Sequence, residues 1–249
     1  MHKKIFDLFC GLPRGGPGNE GSTIRALRII NDLVCSPKVL DAGCGVGAST
    51  LVLSRNLDCQ LTAIDIFEKV IEILNEKIIN RGLETRVKAL VHDMGDSGGL
   101  GKKFDLIWSE GAVYNLGFEN GLKTFAGALN PRGYIAVTEL TLLEDNAPDA
   151  VKNFMSRYYP AATTIEGNLE IIRKCGLSEE GHFVLPESAW IDDYFTPMAE
   201  AVNRFRAENE AGEKDPELEK ELAELEEEID FYHKYSRYYG YVFYVMRKM

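Results

Sequence analysis

The sequence of 249 residues lacks any apolar run long enough to cross a bilayer. Charged side chains interrupt every such run well before the roughly 20 residues that a membrane span needs. Residues 1–11 also lack the stretch of about 7–15 uninterrupted apolar residues found in a secretory signal, because Asp7 divides them. The five cysteines are odd in number and show no metal-ligand spacing. We therefore expect a cytoplasmic protein with no disulfide framework, no metal site and no membrane segment.

A basic surface is also missing, since 28 Lys and Arg stand against 39 Asp and Glu, a formal net charge of −11. The acids are concentrated in residues 208–230, which hold twelve acids and two lysines. This distribution argues against a partner such as duplex nucleic acid, which needs a basic stripe. The acidic stretch itself reads as a solvated helical face.

From residue 37 onward, short apolar runs alternate with patterns typical of amphipathic helices. This alternation predicts a parallel sheet covered by helices on both faces, with ligands at the carboxyl ends of its strands. The predicted strands are 38–42, 60–64, 86–91, 104–108 and 134–138, and the predicted helices between them are 48–57, 67–81 and 117–129.

The two flanks differ from this core. A glycine- and proline-rich loop around Arg14 and a predicted helix at 22–34 precede it, and we expect them to form a lid over the site. After it come predicted helices at 163–175, 188–209 and 216–239, a strand at 182–185 and a terminal aromatic strand at 241–245. We interpret the chain as one domain made of an N-terminal lid (1–36), a cofactor-binding core (37–186), a helical insertion (187–239) and a terminal strand (240–249).

A glycine-rich turn joins the first predicted strand to its helix. Asp41 lies near the end of the strand, and Gly43, Gly45 and Gly47 follow at alternate positions. Glycine permits a positive φ and the close approach of a ligand. The free N–H groups and the partial positive charge of the following helix suit a carboxylate or a phosphate. The turn therefore predicts a binding site for an anionic group.

Two further acids follow neighbouring strands. Asp65 ends the second predicted strand, where a carboxylate can accept both hydroxyls of a ribose. Asp93 follows the third strand, where it could hold an adenine amino group. Together with the glycine turn, they predict a nucleoside site along the carboxyl edge of the sheet.

The spacing of Gly43, Gly45 and Ala48 also satisfies the dinucleotide fingerprint, which leaves an NAD-dependent oxidoreductase as an alternative. Asp41 disfavours it, because a second carboxylate would repel a pyrophosphate but attract the ammonium group of an amino acid. The chain also has only one mononucleotide-binding half, followed by a pair of strands and the terminal strand, instead of two matched halves.

These residues resemble the class I S-adenosylmethionine-dependent methyltransferases over about residues 37–140 and, more weakly, 241–247. The segments that carry the resemblance are 41–47, Asp65, 93–94, 104–111 and the turn at 130–134. The resemblance implies an α/β, Rossmann-like, seven-stranded and mostly parallel sheet of order 3-2-1-4-5-7-6, with the last strand antiparallel after a helical insertion. The cofactor-binding residues it implies are Asp41, Gly43, Cys44, Gly45, Gly47, Asp65, Ile66, Asp93, Met94, Ser109 and Glu110.

The resemblance extends to a small-molecule branch of the family through residues 108–115 and 16–18, so we expect in-line methyl transfer to a small acceptor. Glu110, beside the expected methyl group, and Tyr114, through its ring face, are the candidate catalytic residues. Glu139 is a weaker one. Each has an alternative structural role, as a carboxylate held by local donors or as packing.

Aromatic clusters at 158–159, 190–195 and 231–244 suggest either a cage for a quaternary amine or ordinary core. Residues 218–232 carry a heptad-like apolar seam whose partner is either the helix at 197–209 or a second subunit, which leaves a homodimer possible. A non-catalytic S-adenosylmethionine-binding scaffold, whose acidic helical insert binds a partner, is therefore a second alternative function.

Overall fold

One sheet of eight strands organises the computed structural model, which describes residues 2–208 and 215–249. The strands are β1 (Lys38–Ala42), β2 (Gln60–Asp65), β3 (Val87–Val91), β4 (Phe104–Ser109), β5 (Leu129–Leu142), β6 (Thr163–Thr164), β7 (Leu177–Val184) and β8 (Tyr239–Lys248).

The strand order is β3-β2-β1-β4-β5-β8-β7, and the two-residue β6 pairs with β5 beside that path. Strands β1 to β5 pair in parallel, whereas β8 runs antiparallel to both β5 and β7. Apart from the additional β6, this confirms the predicted order and the antiparallel insertion of the last strand next to the fifth.

Helices cover the sheet on both faces. They are α1 (Lys3–Cys10), α2 (Glu20–Leu27), α3 (Ala48–Asn56), α4 (Glu68–Ile79), α5 (Phe118–Ala128), α6 (Asp149–Tyr158), α7 (Ile165–Lys174), α8 (Ser188–Trp190), α9 (Thr196–Glu208) and α10 (Pro216–Tyr235), with 3-10 turns at Met94–Leu100 and Val113–Leu116 and a π-helical segment at Ile191–Phe195. No helix in the described ranges combines the length and the apolar character needed to cross a membrane.

The central strands are buried because they carry almost continuous apolar sequence. In β1, every residue from Val39 to Ala42 is buried, and β4 is similarly covered on both faces. This is the pattern expected of parallel strands that lie between two helical layers. The carboxyl ends of β1, β2 and β4 therefore open together at one edge, where the glycine turn begins.

Several predicted boundaries were wrong. The helix predicted at 22–34 ends at Leu27, because Ile29, Ile30 and Leu33 pack against the core from irregular chain instead of from a helical face. The strand predicted at 182–185 begins at Leu177. Helices α1 and α6 were not predicted.

The apolar seam of α10 finds its contacts within the chain. Leu218 and Leu222 are buried, α10 contacts α1, and the Tyr232 ring stacks on Trp190 with centroids 4.4 Å apart. From α9, Arg206 forms ion pairs with α10. The predicted acidic stretch at 208–230 includes residues 209–214, which lie outside the described residues.

Candidate active site

The three glycines of the turn after β1 all have positive φ, but they serve different purposes. A Cβ on Gly43 would lie 2.3 Å from the Ala112 Cβ, and a Cβ on Gly47 would lie 2.2 Å from Leu74 Cδ1. These two glycines are required for close packing. A Cβ on Gly45 would meet nothing within 4 Å. Gly45 therefore presents its backbone to open space.

The Asp41 carboxylate lies beneath this turn and is fully buried. Its Oδ2 accepts hydrogen bonds from Ser49 Oγ at 2.9 Å and from Thr50 Oγ1 at 2.6 Å, both in the first turn of α3. Its Oδ1 has no hydrogen-bond partner in the described part of the chain. Burial raises the pKa of Asp41 to about 7, although the two hydroxyl donors oppose the shift.

A cavity of about 760 Å³ opens at the carboxyl edge of the sheet, within the range of roughly 300–1,000 Å³ typical of small-molecule sites. Asp65 lines it, and its two carboxylate oxygens accept backbone N–H bonds from Gly45 at 3.0 Å and Phe67 at 3.1 Å. The Ile66 and Phe67 side chains also line the cavity and are 58% and 45% exposed. An exposed apolar wall therefore lies beside a carboxylate.

Asp93 and Met94 follow β3 and line the same cavity. The Asp93 Oδ1 accepts a hydrogen bond from Gly95 N at 2.8 Å and caps the 3-10 turn that begins at Met94. The neighbouring His92 also lines the cavity and contacts the Asp96 carbonyl through Nε2 at 2.8 Å.

Glu110 lies directly after β4, and three side chains engage its carboxylate. Arg14 Nη2 donates to Oε2 at 2.8 Å, while Thr23 Oγ1 and Trp108 Nε1 donate to Oε1 at 2.7 and 2.8 Å. The Arg14 and Glu110 side chains are only 11% and 5% exposed. Glu110 therefore ties the N-terminal segment to the sheet edge.

Arg14 positions the glycine- and proline-rich loop over the cavity. Its guanidinium lies so close to Gly18 that a Cβ there would come within 2.5 Å of Nη2. The Gly18 N–H donates to the Ala189 carbonyl at 3.0 Å. Arg14 and residues 15–17 line the cavity, so this loop covers one side of it.

The far end of the cavity is aromatic. The half-buried Tyr114 ring contacts the Tyr159 ring edge to face, with centroids 6.4 Å apart. The ring centroids of Trp190 and Tyr241 are 5.1 Å apart. The Glu228 carboxylate, on α10, lines the cavity together with these rings. The residues at this end are Tyr114, Tyr159, Trp190, Tyr194, Glu228 and Tyr241.

Most of the sequence-predicted site residues meet at the cavity, but four do not line it. Asp41 is buried beneath it, Gly47 packs against Leu74, and Ser109 is buried with its Oγ donating to the Ala42 carbonyl at 2.8 Å. Glu139, the weaker catalytic candidate, is buried within β5. The predicted residues that do line it are Gly43, Cys44, Gly45, Asp65, Ile66, Asp93, Met94, Glu110 and Tyr114.

Helix α1 and Glu228 contribute to the cavity although neither was predicted to do so. Phe6 and Phe9 of α1 line the cavity, and Phe6 contacts Phe67 with ring centroids 4.9 Å apart. Glu228 was treated as one acid of a solvated face. The apolar spacing of α1 was a usable signal for a helix, but nothing local to Glu228 distinguishes it from its acidic neighbours.

A sequence model described as a methyltransferase domain matches residues 39–133, which include the glycine turn, Asp65, Asp93 and Glu110. A phosphoethanolamine N-methyltransferase from Plasmodium falciparum is 24% identical over 212 residues, which are 83% of this chain and 75% of that protein. A methyltransferase from Streptomyces halstedii is 26% identical over 173 residues, 62% of each chain.

Over residues 39–133 the chain is similar to a methyltransferase domain, which supports an S-adenosylmethionine-dependent methyltransferase. Its fold agrees with that of solved members. The crystal structure of one from Thiobacillus denitrificans, in complex with S-adenosylhomocysteine, superposes with a TM-score of 0.82 at 19% identity and covers 100% of this chain and 99% of that one. The family match supports a methyltransferase over the NAD-dependent alternative.

The cavity of this methyltransferase fits the cofactor of its family. The open space in front of Gly45 leaves room for a ligand to approach the backbone, and Asp65 adds a carboxylate to the lining of the same cavity. The exposed Ile66 and Phe67 provide an apolar wall for a base. The buried, unpartnered Asp41 Oδ1 leaves one acceptor beneath the turn.

Proposed function

We propose that this methyltransferase binds S-adenosylmethionine in the cavity at the carboxyl edge of the sheet and transfers its methyl group to a small molecule held at the aromatic end. The observation that carries the proposal is the arrangement of Gly45, Asp65 and the exposed Ile66 around one open space. When bound, S-adenosylmethionine supplies a methyl group already activated by its sulfonium.

Different residues of the chain would bind different parts of the cofactor. Asp65 would accept the ribose hydroxyls, and Asp93 would lie near the adenine amino group. The N–H groups of the glycine turn and of the start of α3 favour the carboxylate of the methionine part. Asp41 holds the start of α3 through Ser49 and Thr50, and it would therefore position these N–H groups from beneath the cavity lining.

The size of the cavity suits a small acceptor. Helix α1, residues 14–17 and the aromatic residues line a space of about 760 Å³, within the range of roughly 300–1,000 Å³ typical of small-molecule sites. Excluding water and fixing the acceptor in line with the methyl group are the main contributions that such a site makes to the rate.

Isothermal titration with S-adenosylhomocysteine tests cofactor binding. We expect binding by the wild type and no binding of NAD. Asp65→Ala removes a charged acceptor, and hydrogen bonds to charged groups contribute about 1.5–3 kcal/mol, so we expect roughly 10- to 150-fold weaker binding. Asp58→Ala is the matched control, because Asp58 is an exposed acid just before β2, at the opposite end of the strand.

Turnover is tested with radiolabelled S-adenosylmethionine and the small-molecule fraction of a cell extract. We expect label to enter that fraction. Tight cofactor binding with no transfer to any acceptor would instead support the non-catalytic scaffold. NAD binding, or no binding of S-adenosylhomocysteine, would refute the proposal.

A further inference from the structure

A second cavity, of about 360 Å³, lies next to the aromatic end of the active-site cavity. Helices α1 and α6 form two of its walls, and α10 forms the third with four glutamates. The two cavities share Phe9, Tyr159 and Glu228 in their linings, so they are direct neighbours. We call the second cavity the acidic vestibule; its lining residues are Ile5, Phe9, Phe154, Tyr158, Tyr159, Glu221, Glu224, Leu225, Glu227 and Glu228.

The charge of the acidic vestibule has one sign. Its charged lining residues, all from the described part of α10, are glutamates. Glu221 accepts the backbone N–H of His2, and Glu224 is 3.8 Å from Lys220, whose side chain is 74% exposed. Clefts lined by one sign of charge focus the field and concentrate ligands of the opposite sign. The acidic vestibule therefore favours cations and repels anions.

Glu228 lies where the two cavities meet. Over residues 2–208 and 215–249, no side chain or backbone group forms a hydrogen bond or ion pair with its carboxylate, although burial raises its pKa to about 7. A partly buried carboxylate without a partner is costly, and a cation brought next to it would remove that cost.

The aromatic rings around Glu228 suit the same kind of ligand. The faces of Tyr and Trp rings attract ammonium groups. Trp190, only 3% exposed, lines the active-site cavity, and its Nε1–H has no hydrogen-bond partner in the described structure. A hydroxyl or ether oxygen on the ligand would satisfy that donor.

This end of the cavity offers few basic side chains that could bind an anionic group. The basic side chains that line the active-site cavity in the described residues are Arg14 and His92. Arg14 is already paired with Glu110, and His92 lies at the end of β3 on the nucleoside side. Neither is a free cation next to the aromatic rings.

We propose that the methyl acceptor is a small amine, such as an amino alcohol without an anionic group, which enters as an ammonium cation and binds between Glu228 and the aromatic rings. Glu228 would take one proton from the ammonium group, and the freed nitrogen lone pair would then form the N–CH3 bond. The S–CH3 bond would break with its electron pair going to sulfur, so that S-adenosylhomocysteine is the leaving group. The inference rests on the proposed function, because it names the acceptor of that site. It differs from what the name of the Plasmodium relative would suggest, since phosphoethanolamine carries a phosphate.

Three probes of matched shape test the inference by isothermal titration in the presence of saturating S-adenosylhomocysteine. Choline is a quaternary cation, 3,3-dimethylbutan-1-ol is its neutral carbon isostere, and phosphocholine adds a phosphate. None of the three needs to be methylated. We expect choline to bind at least about tenfold more tightly than the isostere, and phosphocholine to bind more weakly than choline.

The variant Glu228→Gln keeps the shape of the side chain and removes its charge. We expect choline affinity to fall by about tenfold or more, with S-adenosylhomocysteine affinity unchanged. Asp230→Asn removes the same charge from an exposed position on α10 and should change neither affinity.

Choline binding no tighter than the isostere, phosphocholine binding as tightly as choline, or an unchanged choline affinity in Glu228→Gln would each overturn the inference. Absence of choline binding at millimolar concentration would overturn it as well. If S-adenosylhomocysteine still binds in those samples, only the acceptor class is wrong, whereas loss of its binding to the wild type refutes the proposed function.

Discussion

The contact between Arg14 and Glu110 decides whether the N-terminal loop stays closed over the cavity. The two groups are 2.8 Å apart and largely buried, and Glu110 also accepts from Thr23 and Trp108. The variant Glu110→Gln keeps the size of the side chain and removes its charge. It leaves a cation on Arg14 that must either stay unpaired or move out to water.

The size of the coupling free energy between Arg14 and Glu110 follows from the burial of the pair. Two unit charges about 4 Å apart attract by roughly 4 kcal/mol at an effective dielectric constant near 20. Desolvation offsets part of this, and the Arg14 Nε–H, which has no partner in the described structure, shows that the compensation is incomplete. We therefore expect a coupling of about 2–3 kcal/mol between the two side chains.

The amide of Gly18 reports on this loop, because it donates to the Ala189 carbonyl, and we expect that hydrogen bond to break when the loop opens. Hydrogen exchange at Gly18 should become roughly 30- to 150-fold faster in Glu110→Gln, while amides of β1 and β4 keep their protection. A double-mutant cycle with Arg14→Met should recover the coupling energy.

Glu20→Gln provides the matched control. Glu20 pairs with Arg55 at a similar distance of 2.9 Å, but both side chains are about half exposed, so its loss should cost no more than about 1 kcal/mol. If Gly18 exchanges at the same rate in Glu110→Gln as in the wild type, or if the cycle gives a coupling no larger than that of an exposed pair, the lid interpretation is wrong.

Three further predictions concern stability, measured by urea unfolding. Burial raises the pKa of Glu139 from 4.5 to about 8, so the protonated carboxyl group stabilises the folded state fully below about pH 4.5, and this stabilisation is lost as the pH rises to 8. In Glu139→Gln, the free energy of unfolding should therefore decline less steeply between pH 5 and 8, by up to about 1.4 kcal/mol per pH unit. An unchanged slope would contradict this. Gly43→Ala places a Cβ 2.3 Å from that of Ala112 and should cost at least about 2 kcal/mol, whereas Gly45→Ala has open space and should cost less. Leu222→Ala should cost about 2–5 kcal/mol because Leu222 is fully buried, and a loss below about 1 kcal/mol would show that α10 packs loosely.

The sheet was predictable because a local sequence pattern marks each central strand. Runs such as 38–42 and 104–108 are short and apolar, and turn residues bound them. The two-residue β6 carries no such pattern, since its pairing with β5 depends on where the chain passes. The early end of α2 was equally hidden, because Ile29 and Ile30 fit a helical period in sequence but pack from irregular chain.

For a related reason, it was predictable that the glycine turn and Asp65 would line one cavity. Gly43, Gly45 and Asp65 act through backbone geometry and strand position, both of which the sequence encodes over a few residues. The role of Asp41 was only partly evident: its position before the turn was clear, but not that Ser49 and Thr50 would hold its carboxylate inside the protein. We expected it to face the ligand directly, and it instead lies beneath the cavity lining.

The aromatic end of the cavity was only partly predictable. Its clusters were named as a cage or as core, but not that they would meet, because they are distant in sequence. Tyr159, Trp190 and Tyr241 come from three separate elements and meet only when β8 inserts beside β5. Glu228 looks like its acidic neighbours on α10, yet the helical repeat turns it inward, while Glu226 and Glu227 remain exposed. The acidity of α10 therefore has two physical consequences: the outward acids keep the helix solvated, and the inward one leaves a negative charge among aromatic rings, where a cationic acceptor would be held.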